Sequence, residues 1–172
     1  MSEEQTHTPT NEQQKAVQIA INIKSKLNLV VIGKAGVGKS YTLEEMKKAA
    51  AANNLAYVVA APTGVAAIKV GGITIHRLKS ILPDRLDILF IDEVSMVRAD
   101  LLDELDQAMR RKYGGGEPFG GKRVVLIGDP GQLPPVVAGT DEREYLKDTY
   151  HSEYFCGGNR ANIIYWNSDD SR

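Results

Sequence analysis

A glycine-rich stretch that ends in a lysine and a serine has the residue types and spacing to bind phosphate. Residues 33–40 read GKAGVGKS and satisfy G-x-x-x-x-G-K-S between an apolar run and a helical segment. Glycines let backbone N–H groups turn towards phosphate oxygens, and the following helix adds the positive end of its dipole. We therefore predict an ATP site in which Lys39 bridges the β- and γ-phosphates and Ser40 offers its hydroxyl to Mg²⁺. The predicted nucleotide contacts in this stretch are Gly33, Ala35, Gly36, Val37, Gly38, Lys39, Ser40 and Tyr41.

Two adjacent acids, Asp92 and Glu93, close a later apolar run. We assign Asp92 to the Mg²⁺ shell, because this cation prefers oxygen ligands. We assign Glu93 to orient and deprotonate the water that attacks the γ-phosphorus. The pair favours hydrolysis of the nucleotide over transfer of its phosphoryl group to another substrate. The alternative is that the two acids only cap a helix at the end of the strand.

A third polar candidate follows the last apolar run, where residues 128–136 read GDPGQLPPV. The proline-rich turn presents Gln132, whose amide can donate to a γ-phosphate oxygen while it accepts from the attacking water. We therefore predict a catalytic role for Gln132. The alternative is a surface glutamine in a Pro-Pro turn.

The elements that must position these residues alternate along the chain. The wholly apolar run 29–32 and the mainly apolar runs 56–60, 86–91 and 123–127 predict strands. Helical spacing predicts helices from a cap at Thr10 or Asn11 to about Lys26, over about 39–53, and over 100–112. Strand and helix alternation predicts an α/β fold with a mostly parallel sheet and helices on both faces. In such sheets ligands bind at the carboxyl ends of the strands, where all three candidates lie.

Composition narrows the function classes. The 172 residues carry 21 Lys and Arg against 22 Asp and Glu, so a nucleic-acid contact must come from a local site. A single cysteine excludes an internal disulfide framework and suits an intracellular protein. The longest apolar stretch, 55–61, is far below the roughly 20 residues of a membrane span, so we expect no membrane partner. We expect a disordered tail over 1–9, one domain over 10–156 and a poorly ordered segment over 157–172.

The motifs together resemble a known family. Phosphate loops and acid pairs occur in many ATPases, but the full ordered set is similar to the first RecA-like domain of the Pif/RecD-type DNA helicases, in particular the Pif branch. These are superfamily one enzymes that translocate 5′ to 3′. The resemblance covers about residues 10–156 and rests on QKAV (14–17), GKAGVGKS (33–40), APTGVAA (61–67), GGITIH (71–76), IDEVSMV (91–97), PFGG (118–121) and GDPGQLPPV (128–136).

The resemblance implies further roles. Gln14 would read the adenine edge, although it can also be a polar residue on a helix face. Pro62, Thr63 and Gly64 would hold the backbone of single-stranded DNA, and His76 would lie in a second DNA-contact segment unless it is an ordinary hydrogen-bonded histidine. The family also implies ATP and Mg²⁺, and work in DNA replication, recombination, repair or telomere maintenance. A weak basic rim could comprise Arg110, Arg111, Lys112, Lys122 and Arg123.

Two departures lower the expected activity. Fifteen residues separate His76 from Asp92, so we expect a loop of the DNA face to be missing. We expect this chain to lack the second RecA-like domain, whose arginines would reach the γ-phosphate, so we predict nucleotide binding with slow hydrolysis and no unwinding. The rival hypotheses are a non-motor P-loop module that uses ATP as a switch for a protein partner and, more remotely, a small-molecule kinase.

Overall fold

The structure, a computed structural model, describes residues 8–25, 28–33, 38–129 and 141, and the backbone of 163–167. Within these ranges six strands form one sheet in the order β3-β2-β4-β5-β1-β6, and every neighbouring pair is parallel. The strands are β1 (Asn28–Ile32), β2 (Tyr57–Ala61), β3 (Ile73–Thr74), β4 (Ile88–Ile91), β5 (Arg123–Gly128) and β6 (Ile163–Asn167). The helices are α1 (Asn11–Ile21), α2 (Lys39–Ala52), α3 (Gly64–Lys69), α4 (Ile75–Ser80) and α5 (Ala99–Tyr113), with 3₁₀ turns η1 (Val94–Met96) and η2 (Pro118–Gly121).

Two apolar layers cover the two faces of the sheet. Side chains alternate along each strand, so Leu89 and Ile91 of β4 face one layer while Ile88 and Phe90 face the other. The first layer is completed by α4 and α5, and the second by α1 and α2. The predicted α/β fold with a parallel sheet and helices on both faces is therefore confirmed.

The first helix begins where the sequence predicts and ends earlier. The Thr10 hydroxyl accepts from the Gln13 N–H at 3.2 Å, and the Gln13 side chain accepts from the Thr10 N–H at 3.0 Å, which is a complete capping box. The helix ends at Ile21 rather than near Lys26. There the guanidinium of Arg123 donates to the carbonyls of Ile19 and Asn22, which also accept from the N–H groups of Asn22 and Ser25.

Several short elements were not predicted. Helices α3 and α4 have six residues each, too few for the helical spacing of apolar residues to stand out. Strand β6 lies in the segment where the sequence showed no period, and it pairs in parallel with β1. In the part of the chain that the structure describes, no helix has the length and apolar character to span a membrane.

Candidate functional site

The candidate residues follow three strands, at the edge of the sheet formed by the carboxyl ends of those strands. Because the strands are parallel, their carboxyl ends lie on the same side. Strand β5 lies between β1 and β4, with Gly128 level with Ile32 of β1. The N–H of Gly33 donates to the carbonyl of Gly128 at 3.2 Å. The start of the phosphate loop is therefore tied to the end of the strand that stands beside the acid pair.

The amino end of α2 forms the far side of the phosphate loop. Gly38 has φ +87°, a left-handed conformation that favours glycine, and its carbonyl accepts from both the N–H and the hydroxyl of Thr42 at 2.9 Å. The ammonium of Lys39 donates to the carbonyl of Gly33, so it reaches back across the loop. Ser40 is exposed in the first turn of α2, and Tyr41 is half-buried. The candidates Ala35, Gly36 and Val37 lie outside the described residues.

The acid pair follows β4 on the same edge. Burial raises the pKa of the Asp92 carboxyl above its ordinary value, while the N–H of Glu93 and the ammonium groups of Lys69 and Lys39 act in the opposite direction. The ammonium of Lys39 therefore lies near enough to lower the pKa of Asp92, although 52 residues separate the two along the chain. Glu93 has φ 51° and ψ 43°, a left-handed conformation that is uncommon for a residue with a side chain.

The donor set at this edge suits a magnesium ion held together with phosphate. Among the described residues no group of three or more His, Cys, Asp or Glu side chains lies close enough to hold a metal by itself. Mg²⁺ is usually bound by one or two protein oxygens, several waters and the phosphates of the substrate. The Ser40 hydroxyl and the Asp92 carboxylate provide protein oxygens of the right chemistry, so the residues present fit the ion.

Two neighbouring glutamines of α1 have different surroundings. Gln14 is exposed, and its amide donates to the carbonyl of Pro9 at 3.2 Å. Gln13 is 5% exposed, and its Nε2 lies 2.8 Å from the place where a Cβ on Gly38 would stand. Gln13 is not among the residues predicted from the sequence, although the spacing Thr10-x-x-Gln13 is the signal of a capping box and of an inward side chain.

The predicted DNA-contact residues lie at the ends of β2 and β3, along the same edge. Pro62 and Thr63 are half-buried, while Gly64 and His76 are exposed. The Thr63 hydroxyl accepts from the Ala66 N–H at 3.2 Å and so caps α3. The Thr63 hydroxyl accepts a hydrogen bond when it caps α3, and it can still donate its own proton to a phosphate oxygen.

The predicted basic rim is wrong for Arg123. Arg123 is 3% exposed, because β5 begins inside the core. The guanidinium of Arg123 donates to a backbone carbonyl at the end of α1. Arg110 pairs with Asp106 at 3.0 Å, Lys112 pairs with Asp84 at 2.9 Å, and the Lys122 ammonium lies 4.8 Å from the centre of the Tyr113 ring. Gln132 lies outside the described residues, so its catalytic role stays a prediction.

Comparisons with known proteins show which family and which relatives the chain is similar to. A family model described as AAA domain matches residues 9–153. The chain is 34% identical to the ATP-dependent DNA helicase RRM3 of Saccharomyces cerevisiae over 168 residues, and 35% identical to human ATP-dependent DNA helicase PIF1 over 156 residues. These alignments cover 84% and 78% of this chain but only 23% and 24% of the relatives.

Solved structures extend the match to the fold. The structure of Bacteroides Pif1 bound to single-stranded DNA has a TM-score of 0.78 at 36% identity, and that of Bacteroides sp Pif1 in complex with ADP-AlF4 has a TM-score of 0.79 at 36% identity. Each match covers 94% of this chain and 42% of the other. The resemblance to the first RecA-like domain of the Pif-type helicases is therefore confirmed, and the chain spans less than half the length of these relatives.

Proposed function

The chain belongs to the AAA domain family, and on this basis we propose that it binds ATP with Mg²⁺ and hydrolyses it as the first motor domain of a Pif1-like DNA helicase. The observation that carries the proposal is that the phosphate-loop motif and the acid pair follow β1 and β4 at one edge of the sheet, joined through β5, whose Gly128 carbonyl accepts from the Gly33 N–H. A lysine beside a carboxylate at the carboxyl ends of parallel strands is the arrangement that binds a triphosphate and its metal in P-loop enzymes.

Each side chain has a separate task in this proposal. Lys39 exchanges its present acceptor, the Gly33 carbonyl, for oxygens of the β- and γ-phosphates. Ser40 and Asp92 would hold Mg²⁺, which would neutralise the charge that develops on the phosphates. Glu93 accepts a proton from the attacking water, and Gln132 holds that water and a γ-phosphate oxygen.

The DNA face is the second part of the proposal. Pro62, Thr63, Gly64 and His76 follow β2 and β3 on the edge that carries the nucleotide site. We propose that these residues contact the backbone of single-stranded DNA, by analogy with the relative whose structure is described as bound to it. Local N–H groups and the Thr63 hydroxyl supply donors, so this contact needs no strongly basic surface.

Hydrolysis by these residues alone should be slow. In phosphoryl-transfer enzymes an arginine that another domain or protein supplies accelerates the reaction by about 10³- to 10⁵-fold. The chain covers 42% of the Bacteroides relatives, so we propose that such a group comes from a second RecA-like domain. For the same reason we expect no unwinding by the 172 residues alone.

The test combines ATP titration with a phosphate-release assay on three variants. Lys39→Ala should weaken ATP binding by about tenfold or more, because it removes the ammonium group that contacts the phosphates. Glu93→Gln should bind ATP normally and hydrolyse it about 10²- to 10⁴-fold more slowly, because it removes the base. Lys48→Ala is the matched control, since Lys48 is an exposed lysine of the same helix that pairs with Glu45. Unchanged ATP affinity in Lys39→Ala would overturn the site.

A second test decides between the two glutamines. We propose that Gln13, beside Gly38, is the residue that contacts the nucleotide, and that Gln14 is a surface residue. Gln13→Ala should then weaken ATP binding by about tenfold through the loss of hydrogen bonds, while Gln14→Ala leaves it within about twofold. Wild-type affinity in both variants, measured by calorimetry, would show that neither amide reads the nucleotide.

Stimulation of hydrolysis by single-stranded DNA separates the motor domain from the rival module that uses ATP as a switch. If the chain is a motor domain, single-stranded DNA should stimulate ATP hydrolysis. His76→Ala should reduce this stimulation, because His76 is exposed on the proposed DNA face. Hydrolysis that is indifferent to DNA, together with a stable protein complex, would favour the module.

A further inference from the structure

Ser95 carries a buried hydroxyl that the proposed chemistry does not use. The residue is 5% exposed, and its Oγ has no hydrogen-bond partner among the described residues. A buried hydroxyl without a partner lowers the stability of a folded protein, because it has lost its bonds to water. An alanine at this position would avoid that cost, so the hydroxyl calls for an explanation other than folding.

The position of Ser95 links the acid pair to the phosphate loop. It is the middle residue of η1, the turn that begins immediately after Glu93. The turn packs directly against the end of β5, since a Cβ on Gly128 would stand 3.3 Å from the Ser95 backbone nitrogen and 2.8 Å from Cγ1 of Val94. The carbonyl of Gly128 accepts from the N–H of Gly33, and a carbonyl oxygen has room for a second donor.

Another buried group with unpartnered atoms has a different explanation. Nε and Nη1 of Arg123 also lack partners among the described residues, but Arg123 begins β5 and therefore lies at the opposite edge of the sheet. Its Nη2 already donates to two carbonyls at the end of α1. Ser95 is the orphan that lies at the edge with the acid pair.

We propose that Ser95 is a positioning residue for hydrolysis, whose hydroxyl donates to the Gly128 carbonyl when a nucleoside triphosphate occupies the site. The carbonyl oxygen of Gly128 then accepts from both the Gly33 N–H and the Ser95 hydroxyl. It thereby connects the phosphate loop to the turn that follows Glu93. The bond fixes Glu93 against the attacking water only in the triphosphate-bound state, and a diphosphate does not form it. This inference rests on the proposed function, because it concerns the same nucleotide site.

The experiment measures Ser95→Ala in three ways, with Ser80→Ala as control, because Ser80 is an exposed serine at the end of α4. Without nucleotide, Ser95→Ala should unfold at the same or a higher temperature than the wild type, since it removes an unpartnered hydroxyl. With Mg²⁺, it should bind ADP as the wild type does but bind a non-hydrolysable ATP analogue about three- to tenfold more weakly, which is the typical contribution of one hydrogen bond. Hydrolysis should fall at least as much.

The outcomes separate the inference from the proposed function. A wild-type chain that binds neither nucleotide refutes the proposed function itself. A wild type that binds both, with a Ser95→Ala variant that binds both equally well, refutes only the role of Ser95. A lower unfolding temperature of Ser95→Ala without nucleotide would also refute it, because the hydroxyl would then have a structural partner.

Discussion

Two turns in this protein place a residue with a large side chain in left-handed backbone, and they differ in what surrounds that residue. Phe119 in η2 has φ 53°, and Glu93 before η1 has φ 51°. Phe119 is 3% exposed within the core layer that α5 completes, and its N–H donates to the buried carboxylate of Asp106. Glu93 is only half-buried, and its side chain makes no capping hydrogen bond to η1.

The difference separates a turn that packing in the core stabilises from the turn that carries the proposed catalytic acid. A left-handed residue costs on the order of 1–3 kcal/mol. Burial of a phenylalanine side chain offsets about 1.5–3 kcal/mol, and a charged hydrogen bond adds to that. At Phe119 local contacts therefore balance the strain. The N–H of Glu93 also donates to a carboxylate, that of Asp92, but its half-buried charged side chain adds no comparable apolar burial, so less of the strain is offset.

The largest effect is expected for Phe119→Ala. The change keeps the strained backbone but removes the burial that balances it, so the free energy of unfolding should fall by about 3–5 kcal/mol. Chemical denaturation measures the change. If the loss were no larger than in Glu93→Ala, the proposed contrast between the two turns would be wrong.

An intermediate effect is expected for Asp106→Ala. The carboxylate accepts from the Phe119 N–H and from Arg110 at 3.0 Å, and the variant would leave the buried N–H without a partner. We expect a loss of about 1–3 kcal/mol in the free energy of unfolding. Asp106→Asn keeps an acceptor for the same N–H and should lose less. An equal loss in both variants would point to the charge rather than to the hydrogen bond.

The smallest effect on stability is expected for Glu93→Gly. Glycine tolerates left-handed backbone, so this variant should be more stable than Glu93→Ala by about 1 kcal/mol, while both lose hydrolysis because both lack the carboxylate. The same comparison at position 119 should give a similar gap, since φ is nearly equal there. A Glu93→Gly chain less stable than Glu93→Ala would show that the backbone at this position is not strained.

The long apolar strands and helices could be predicted because their patterns are local. The predicted strand 123–127 and helix 100–112 agree with β5 and α5 within a residue at each end. The chemical motifs at Lys39 and Asp92 could be predicted for the same reason, since each reads from a few neighbouring residues. Their meeting at one edge followed from the general rule for parallel sheets.

Other features depend on contacts that sequence spacing does not reveal. Arg123 carries a charge and was counted with a surface rim, yet the end of α1 supplies carbonyls that make its burial tolerable. Gln13 and Gln14 are the same residue type side by side, and only the packing of α1 beside Gly38 distinguishes them. Strand β6 is defined by its pairing with β1 rather than by a pattern of its own.

By itself the sequence determined the fold class, the phosphate-loop motif and the acid pair, because these depend on residue types at short spacings. Tertiary structure decided that β5 stands between β1 and β4, that Gly128 joins Gly33 to the turn after Glu93, and that Ser95 is buried there. Strand order and burial arise from packing between segments far apart in the chain, and their energies are shared among many weak contacts that no short motif encodes.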